Sequence, residues 1–321
     1  MVGSGVGELA NNLGGYAVLT GSGFLKYSIQ QQANRGGAVA GTTFYVIDVK
    51  TGAVLASKSV GSDGLAENVD SCAAVNNCMR MKNALQADVV ATGPPDSRYI
   101  TKAYVGDLDG RIWRYDITLN AGSPQIVATS PIKLYDAGAA QPMFGSMASV
   151  TVGSTQQYLF QGTGSDLLPS NGVSQAYNLL VVLDNGATGT LTGSITLGKV
   201  DGAADDEKVT AFPAVAGDIV FFTTTSFFPA TFCGNNMTAN LYAFTYIGGA
   251  AYDTNNSGSI TSADSTKVSS TAGARATAPF VVDQHLGISV GGTVQMFGDP
   301  NDYNNGVGQV GVRILSWREV R

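Results

Sequence analysis

Residues 102–116 read KAYVGDLDGRIWRYD. Two runs rich in apolar and aromatic residues, KAYV and RIWRYD, flank the short segment GDLDG, whose Gly and Asp residues are typical of a tight turn between strands. The second run ends in an aspartate, Asp116. The stretch therefore predicts a β-hairpin, and its last strand supplies a pattern that can be sought elsewhere in the chain.

The pattern of this last strand recurs along the chain. Three copies end in an aspartate, and these aspartates are 68 positions apart: TFYVID ends at Asp48, RIWRYD at Asp116 and NLLVVLD at Asp184. Two weaker copies are NLYAFT, in which Thr245 replaces the aspartate, and VRILSW at 312–317. Strand, hairpin and strand repeated in this way are typical of a β-propeller blade. We therefore predict an all-β fold, a modified β-propeller with about five recognisable blade repeats.

The composition agrees with a strand-rich fold. Gly and Pro account for 41 and 10 of the 321 residues, and only 13% are charged, too few to coat long amphipathic helices. A blade usually takes about 40–50 residues, so the wider spacing here predicts long insertions, the longest at 248–273. We predict one β-propeller domain over 1–321. Because five blades are few for a closed ring, either the propeller is small or its ring is incomplete and further blades lie outside this chain.

The charge balance excludes several classes of partner. The formal net charge is −6 and no Lys/Arg cluster occurs, which argues against nucleic acid or an anionic membrane surface. No run of 18 apolar residues is present, so we expect no membrane span. The first residues, MVGSG, lack the pattern of a secretory signal, so the protein is expected either to stay inside the cell or to have an export signal outside this chain.

Three cysteines allow more than one arrangement. Cys72 and Cys78 lie in the polar segment SCAAVNNC, while Cys233 is distant. Their C-x5-C spacing matches no common zinc or haem motif. The sequence favours a local disulfide between Cys72 and Cys78, with free thiols as the alternative, and such a disulfide would indicate an oxidising compartment. The pairing of Cys233 stays open.

The longest insertion contains a candidate calcium loop, DTNNSGSITSAD at 253–264. Counted from the first residue, oxygen-bearing side chains occur at positions 1, 3, 5, 7, 9 and 12, with Gly at 6 and an aliphatic residue at 8, as in an EF-hand-like loop. We predict Ca²⁺ with the following ligands: the side chains of Asp253, Asn255 and Ser257, the carbonyl of Ser259, Thr261 through a water, and Asp264 as the closing carboxylate. The alternative is an Asn/Ser/Gly-rich surface turn.

The ligand set predicts weak binding. Neutral Asn255 and Ser257 replace carboxylates at positions 3 and 5, and Asp264 is shorter than the usual closing Glu. We therefore expect an affinity of about 10⁻⁴–10⁻³ M, or one at the weaker end of the sensor range.

Three other polar features favour structural roles. Asp107 and Asp109 lie in a tight hairpin, so turn chemistry is favoured over a functional acid pair. The acidic run at 205–207 is predicted to be solvated surface. His285 is the single histidine and is placed in a turn between strands, so histidine-rich zinc sites are excluded and a Ser/His/Asp triad would depend on this residue alone. We predict no catalytic residues, no organic cofactor and no enzymatic activity.

The hairpin sequence also resembles a known family. AYVGDLDGRIWRYD at 103–116 is similar to the AYxGDLxGxxWRxD blade motif of the PilY-type type IV pilus tip proteins. The similarity continues in FQGTG at 160–164, in LYAF at 241–244 before the candidate calcium loop, and in RILSWRE at 313–319. It spans most of residues 16–321 in matching order. In that family a long variable amino-terminal region and further blades precede the propeller, so the resemblance implies a carboxy-terminal portion.

The resemblance implies a modified β-propeller at the extracellular tip of a bacterial type IV pilus. Such a protein assists pilus assembly, opposes retraction and contributes to surface adhesion, with calcium as a regulator. The implied partners are minor pilins, an amino-terminal portion of the same protein, and a host or abiotic surface. The family's calcium loop is usually richer in Asp than 253–264.

Two other functions compete with this one. A quinone-dependent dehydrogenase is suggested by the D-x-x-x-G pattern from Asp48 to Gly52, although such blades usually add a Trp a few residues later, where this chain has Leu55. The whole chain contains only Trp113 and Trp317. A structural component of an extracellular filament is the third candidate, and it would differ in having many copies per filament.

Overall fold

The computed structural model contains β-strands and turns in every part that it describes. The described residues are 4–9, 15–23, 41–60, 84–117, 131–138, 140–153, 155–164, 176–198, 207–209, 211–227, 237–273, 275–282 and 285–297. Across these ranges no helix occurs, so none is long and apolar enough to cross a membrane. The all-β prediction is confirmed.

The strands form five sheets in the order of the sequence. Sheet 1 contains β1 (Ser4–Glu8), β2 (Tyr16–Gly21), β3 (Thr43–Asp48) and β4 (Val54–Ser59). Sheet 2 contains β5 (Val90–Thr92), β6 (Lys102–Gly106), β7 (Arg111–Asp116) and β8 (Ile132–Asp136). Sheet 3 contains β9 (Ala148–Val152), β10 (Gln156–Gly162), β11 (Asn178–Asp184) and β12 (Gly189–Thr196).

The last two sheets follow the same pattern with small variations. Sheet 4 contains β13 (Lys208–Val209), β14 (Ala214–Ala216), β15 (Ile219–Phe227), β16 (Met237–Thr245) and β17 (Lys267–Ala272), with β13 and β14 both paired to β15. Sheet 5 contains β18 (Phe280–Val282), β19 (His285–Val290) and β20 (Thr293–Phe297).

The sequence repeat coincides with the repeat of sheets. Asp48, Asp116 and Asp184 are the last residues of β3, β7 and β11, each the third strand of its sheet, and Thr245 ends β16. The hairpin of 102–116 is β6 paired antiparallel with β7. The predicted blade strands are therefore confirmed in four sheets. The copy at 312–317 lies outside the described residues.

Contacts within the chain group its residues into two compact units. Unit 1 comprises Met1–Met147, Ser165–Pro169 and Asp184–Thr190, and unit 2 comprises Ala148–Gly164, Ser170–Leu183 and Leu191–Arg321. The single domain over 1–321 stays a prediction, as does the role of the 248–273 insertion.

The described strands of unit 1 pack around a hydrophobic core cluster. It is built from buried apolar residues of sheets 1 and 2, including Leu19, Val46 and Val105. Phe44 and Tyr115 stack with ring centroids 4.2 Å apart. Each of these strands presents alternate residues to the cluster, because successive side chains of a strand point to opposite faces.

Unit 2 buries both faces of its central strands. Phe222 of β15 and Phe244 of β16 belong to one core cluster, whereas the neighbouring Phe221 and Ala243 belong to a second. Burial on both faces explains why β15 and β16 have continuous rather than alternating apolar runs.

His285, which we placed in a turn, is instead the first residue of β19. Its neighbours Leu286, Ile288 and Val290 are buried, so the strand begins earlier than the polar stretch before it suggests. Cys72, Cys78 and Cys233 lie outside the described residues.

Candidate functional site

The candidate calcium loop connects two neighbouring strands of sheet 4. It follows β16, which ends at Thr245, and leads into β17, which begins at Lys267. Because β16 and β17 are paired with each other, they hold the two ends of the segment close together, and residues 253–264 lie between these ends.

The first half of the loop curls around Asp253. The backbone N–H of Ser257 donates to Oδ1 of Asp253 at 3.0 Å, and the N–H of Gly258 donates to Oδ2 at 2.6 Å. Ser257 N–H also donates to Oδ1 of Asn255 at 2.9 Å. Asn256 and Gly258 have positive φ angles of 55° and 88°, which allow the sharp turn.

Asp264 closes the loop through both oxygens of its carboxylate. Oδ1 accepts from the N–H groups of Thr254 at 2.8 Å and Asn255 at 3.2 Å, and Oδ2 accepts from the N–H of Thr261 at 2.7 Å. Asp264 is only 9% exposed. The N–H of Thr261, followed by those of Asn255 and Thr254, lowers the pKa of Asp264 below its usual value. The carboxylate is therefore held in its ionised form, as a cation ligand must be.

The structure links all six predicted ligands by hydrogen bonds. Ser257 Oγ donates to the carbonyl of Ser259 at 3.0 Å, and Thr261 Oγ1 donates to Asp264 Oδ2 at 3.2 Å. Ser257 also joins Asp253 to Asn255, whose own N–H reaches Asp264. The residues chosen from the spacing are thus brought together in one loop, although their coordination of an ion stays a prediction.

The donor set fits a hard cation. Every predicted ligand offers oxygen, the type that Ca²⁺ prefers. Among the residues that the structure describes, no group of three or more His, Cys, Asp or Glu side chains is placed to hold a metal. The loop contributes two carboxylates, from Asp253 and Asp264, and neutral oxygens otherwise. This charge count suits weak, exchangeable binding rather than a permanent structural ion.

Glu207, the residue directly before β13 of sheet 4, is a buried carboxylate that the sequence did not indicate. Glu207 is 2% exposed, which corrects the expectation that 205–207 is solvated surface; the other two residues of that run are not described. Its Oε1 accepts from Thr224 Oγ1 and from Asn240 Nδ2, the latter at 2.9 Å, and its Oε2 accepts from the N–H of Gly198 at 3.2 Å. A buried carboxylate is tolerated because these donors replace water.

Lys267 completes the surroundings of Glu207. Its Nζ lies 3.3 Å from Glu207 Oε2 and 5.2 Å from the ring centroid of Tyr242. Burial, then the charge of Glu207 and a hydrogen bond to it, raises the pKa of Tyr242 well above its usual value. The sequence carries no local signal for this cluster, because its members come from separate strands.

The hairpin of sheet 2 contains a second buried carboxylate, Asp107, with no exposed surface. Oδ1 accepts from the N–H groups of Asp109 and Arg111, each at 2.9 Å, and Oδ2 accepts from the indole Nε1 of Trp113 at 2.7 Å. Asp109 pairs with Arg111 at 3.1 Å. The contacts of Asp107 with backbone N–H groups are those of turn chemistry, the role that the sequence favours for it. Burial raises the pKa of Asp107 to about 7.

Asp48 and Asp184, which end β3 and β11, make different contacts. Asp48 binds the turn that follows it, accepting from the N–H of Thr51 at 2.7 Å, which accounts for the D-x-x-x-G pattern as turn chemistry. Asp184 instead lies buried in unit 1, where Oδ1 accepts from Arg114 Nη1 at 2.7 Å and Oδ2 accepts from Tyr104 Oη at 2.8 Å.

No protein-family model matches the chain, and no curated protein matches it. Among solved structures, the C-terminal domain of PilY1 from Pseudomonas aeruginosa matches with a TM-score of 0.58 and 15% identity, covering 92% of this chain and 71% of that one. The chain has a β-propeller-type fold.

A second solved structure is similar at a lower level. BamB from Moraxella catarrhalis matches with a TM-score of 0.41 and 12% identity, covering 94% of this chain and 74% of that one.

Proposed function

We propose that this propeller is a non-enzymatic component of a type IV pilus tip, where it supports pilus assembly and surface adhesion and binds Ca²⁺ at 253–264. Its proposed location is extracellular, and its proposed partners are minor pilins, an amino-terminal portion of the same protein, and a host or abiotic surface. No nucleic acid is among the proposed partners, in keeping with the net charge of −6.

The likeness of fold carries this proposal, and a sequence motif supports it. The chain shares its fold with the C-terminal domain of PilY1 over 92% of its length, and it also has the AYxGDLxGxxWRxD motif by which it resembles the PilY-type family. The motif residues Asp107 and Trp113 contact each other within the hairpin. Fold and motif are separate properties of the chain, and both favour the same family.

The loop at 253–264 gives the proposed calcium binding its physical basis. Asp264 already joins the start of the loop to its end through Thr254 and Thr261. An ion ligated by Asp253 and Asp264 would screen their mutual repulsion and hold both halves of the loop. Because the ion binds the ordered loop alone, calcium stabilises that form by mass action.

The pilus function is tested by deleting the gene in the bacterium that makes this protein. We expect fewer surface pili and weaker attachment, both restored by the parent gene. Normal numbers of pili together with normal attachment would contradict the proposal. A quinone absorbance in the purified protein would instead favour the dehydrogenase alternative.

The calcium site is tested by titration calorimetry on the purified chain. The parent is expected to bind with a Kd of about 10⁻⁴–10⁻³ M, and Asp253→Ala to show no binding heat. Asp96→Ala is the matched control, because Asp96 is an exposed aspartate far from the loop in sequence. Equal heats from the parent and Asp253→Ala would eliminate the site.

A further inference from the structure

The candidate calcium loop is tied to β17 by hydrogen bonds that begin at Asp264. Thr254 Oγ1 donates to Asp264 Oδ1 at 3.3 Å and accepts from the N–H of Ser265 at 2.7 Å. Ser265 Oγ accepts from the N–H of Lys267 at 3.0 Å and donates to the carbonyl of Lys267 at 3.0 Å. Two residues, Thr254 and Ser265, therefore connect the closing carboxylate to Lys267, the first residue of the strand.

Lys267 continues this connection into the interior of unit 2. Its ammonium pairs with Glu207, whose carboxylate is held by Thr224 of β15, Asn240 of β16 and the N–H of Gly198. The Lys267 side chain is 36% exposed and that of Glu207 only 2%. One ion pair thus connects the exposed loop to a polar cluster held by β15, β16 and the backbone of Gly198.

We propose that Ser265, Lys267 and Glu207 are positioning residues for the calcium loop: they hold Thr254 and Asp264 in the arrangement that the ion requires. This inference rests on the proposed calcium site. A ligand that is already held loses less conformational freedom on binding, so the affinity is higher. The coupling is reciprocal, so bound calcium also stabilises the start of β17.

Charge and position have opposite effects on the affinity, which determines the choice of variants. Loss of Lys267 alone removes a positive charge and leaves Glu207 unpaired, and both changes favour a nearby cation through Coulomb attraction. Loss of the contacts that hold Thr254 and Asp264 in place lowers the affinity for the cation. Variants that keep the net charge unchanged isolate the positioning effect.

Two variants meet this condition. Ser265→Ala removes an exposed hydroxyl and leaves the Lys267–Glu207 pair in place. Lys267→Met combined with Glu207→Gln removes one positive and one negative charge together. Ser262→Ala is the matched control, an exposed serine of the same loop that is not among the predicted ligands.

Calcium affinity of these variants is measured by titration calorimetry at constant ionic strength, with thermal melting in the absence of calcium to verify folding. In the variant that combines Lys267→Met with Glu207→Gln, the pair variant, we expect the Kd to rise about tenfold, the lower end of what loss of an outer contact costs a metal site. In Ser265→Ala, which keeps the ion pair, we expect a smaller rise of about fivefold. Ser262→Ala is expected to bind within about twofold of the parent.

The outcomes separate this inference from the calcium site itself. If the parent binds calcium and both Ser265→Ala and the pair variant bind within about twofold of it, the positioning role is wrong and the site stands. If the parent shows no binding heat, the site and the positioning role are both wrong. Ser265→Ala keeps the test valid should the buried substitution in the pair variant prevent folding.

Discussion

Trp113 donates its indole N–H to the Oδ2 atom of Asp107 at 2.7 Å, and Asp107 has no exposed surface. Asp107 is the first residue of the β6–β7 turn and Trp113 lies in β7, so the bond fixes the turn to the strand that follows it. Oδ1 is occupied by two backbone N–H groups from Asp109 and Arg111. The indole is therefore the side-chain donor that satisfies Oδ2 of a carboxylate shielded from water.

Replacing that donor is expected to destabilise unit 1. Trp113→Phe leaves Oδ2 of Asp107 without the indole, and an unsatisfied buried acceptor costs about 1–3 kcal/mol, with a further loss from the smaller ring. Urea denaturation measures the change. Asp107→Asn combined with Trp113→Phe supplies the control, because the double variant should cost less than the sum of the single ones. Strict additivity would show that the contact contributes nothing.

The stability of the protein should depend on the protonation of Asp107. Burial raises its folded pKa to about 7, whereas the unfolded value is about 3.9. The folded state therefore binds this proton more tightly. The stabilisation is fully present below about pH 3.9, declines as the pH rises towards 7 and is absent above that value.

This pH dependence is measured against a variant that cannot titrate. We expect the unfolding free energy of the parent, minus that of Asp107→Asn, to fall as the pH rises from 5 to 8. Taking the difference removes the contribution of other titrating groups. A difference that does not vary with pH would mean that Asp107 keeps an ordinary pKa in the folded protein.

The sequence predicted the strands better than the roles of their side chains. The spacing of Asp48, Asp116 and Asp184 located the third strand of three sheets, because that pattern depends on local strand and turn chemistry. It could not show that Asp48 binds the next turn while Asp184 is buried against Arg114. That difference depends on contacts between residues 70 positions apart.

In the candidate site, too, the sequence predicted the local contacts but not those between residues far apart in the chain. Residues 253–264 form one hydrogen-bonded loop, as their spacing suggested, because every contact within it is local. Glu207 was misjudged, because an acidic run in a polar segment ordinarily faces water. Its burial is possible only because Thr224, Asn240 and Lys267, from three separate strands, converge on it. No pattern local to 205–207 contains that information.

The Asp184 cluster should contribute much more to stability than an exposed ion pair. Burial by itself raises the pKa of Asp184, but the N–H of Gly186, the hydroxyl of Tyr104 and the charges of Lys102 and Arg114 more than offset it, so the pKa is lowered. Arg114→Met removes the guanidinium that lies 2.7 Å from Oδ1. Breaking a buried pair costs about 3–5 kcal/mol, and Lys102, whose Nζ stays 3.3 Å from Oδ2 of Asp184, keeps the loss in the lower part of that range.

Lys133→Met is the matched control for Arg114→Met. Lys133 also pairs with an aspartate, Asp136 at 3.4 Å, but both side chains are more than a third exposed. Exposed pairs contribute at most about 1 kcal/mol. Chemical denaturation of both variants should therefore show a large loss for Arg114→Met and almost none for Lys133→Met. Comparable losses would mean that the burial of Asp184 does not strengthen the pair.

Gly110 of the hairpin turn should tolerate substitution less well than Gly52, which lies in the turn after β3. Its φ angle is +81°, and a Cβ added there would lie 2.2 Å from the carbonyl oxygen of Gly138. Gly52 has a similar φ of +71°, but a Cβ there would meet nothing within 4 Å. Gly52→Ala therefore measures backbone strain alone, about 1 kcal/mol or slightly more. Gly110→Ala adds a backbone clash that can be relieved only by moving the segment around Gly138, so its thermal unfolding should occur at a clearly lower temperature. Equal melting temperatures for the two variants would show that the segment around Gly138 moves without loss of stability and does not support the hairpin.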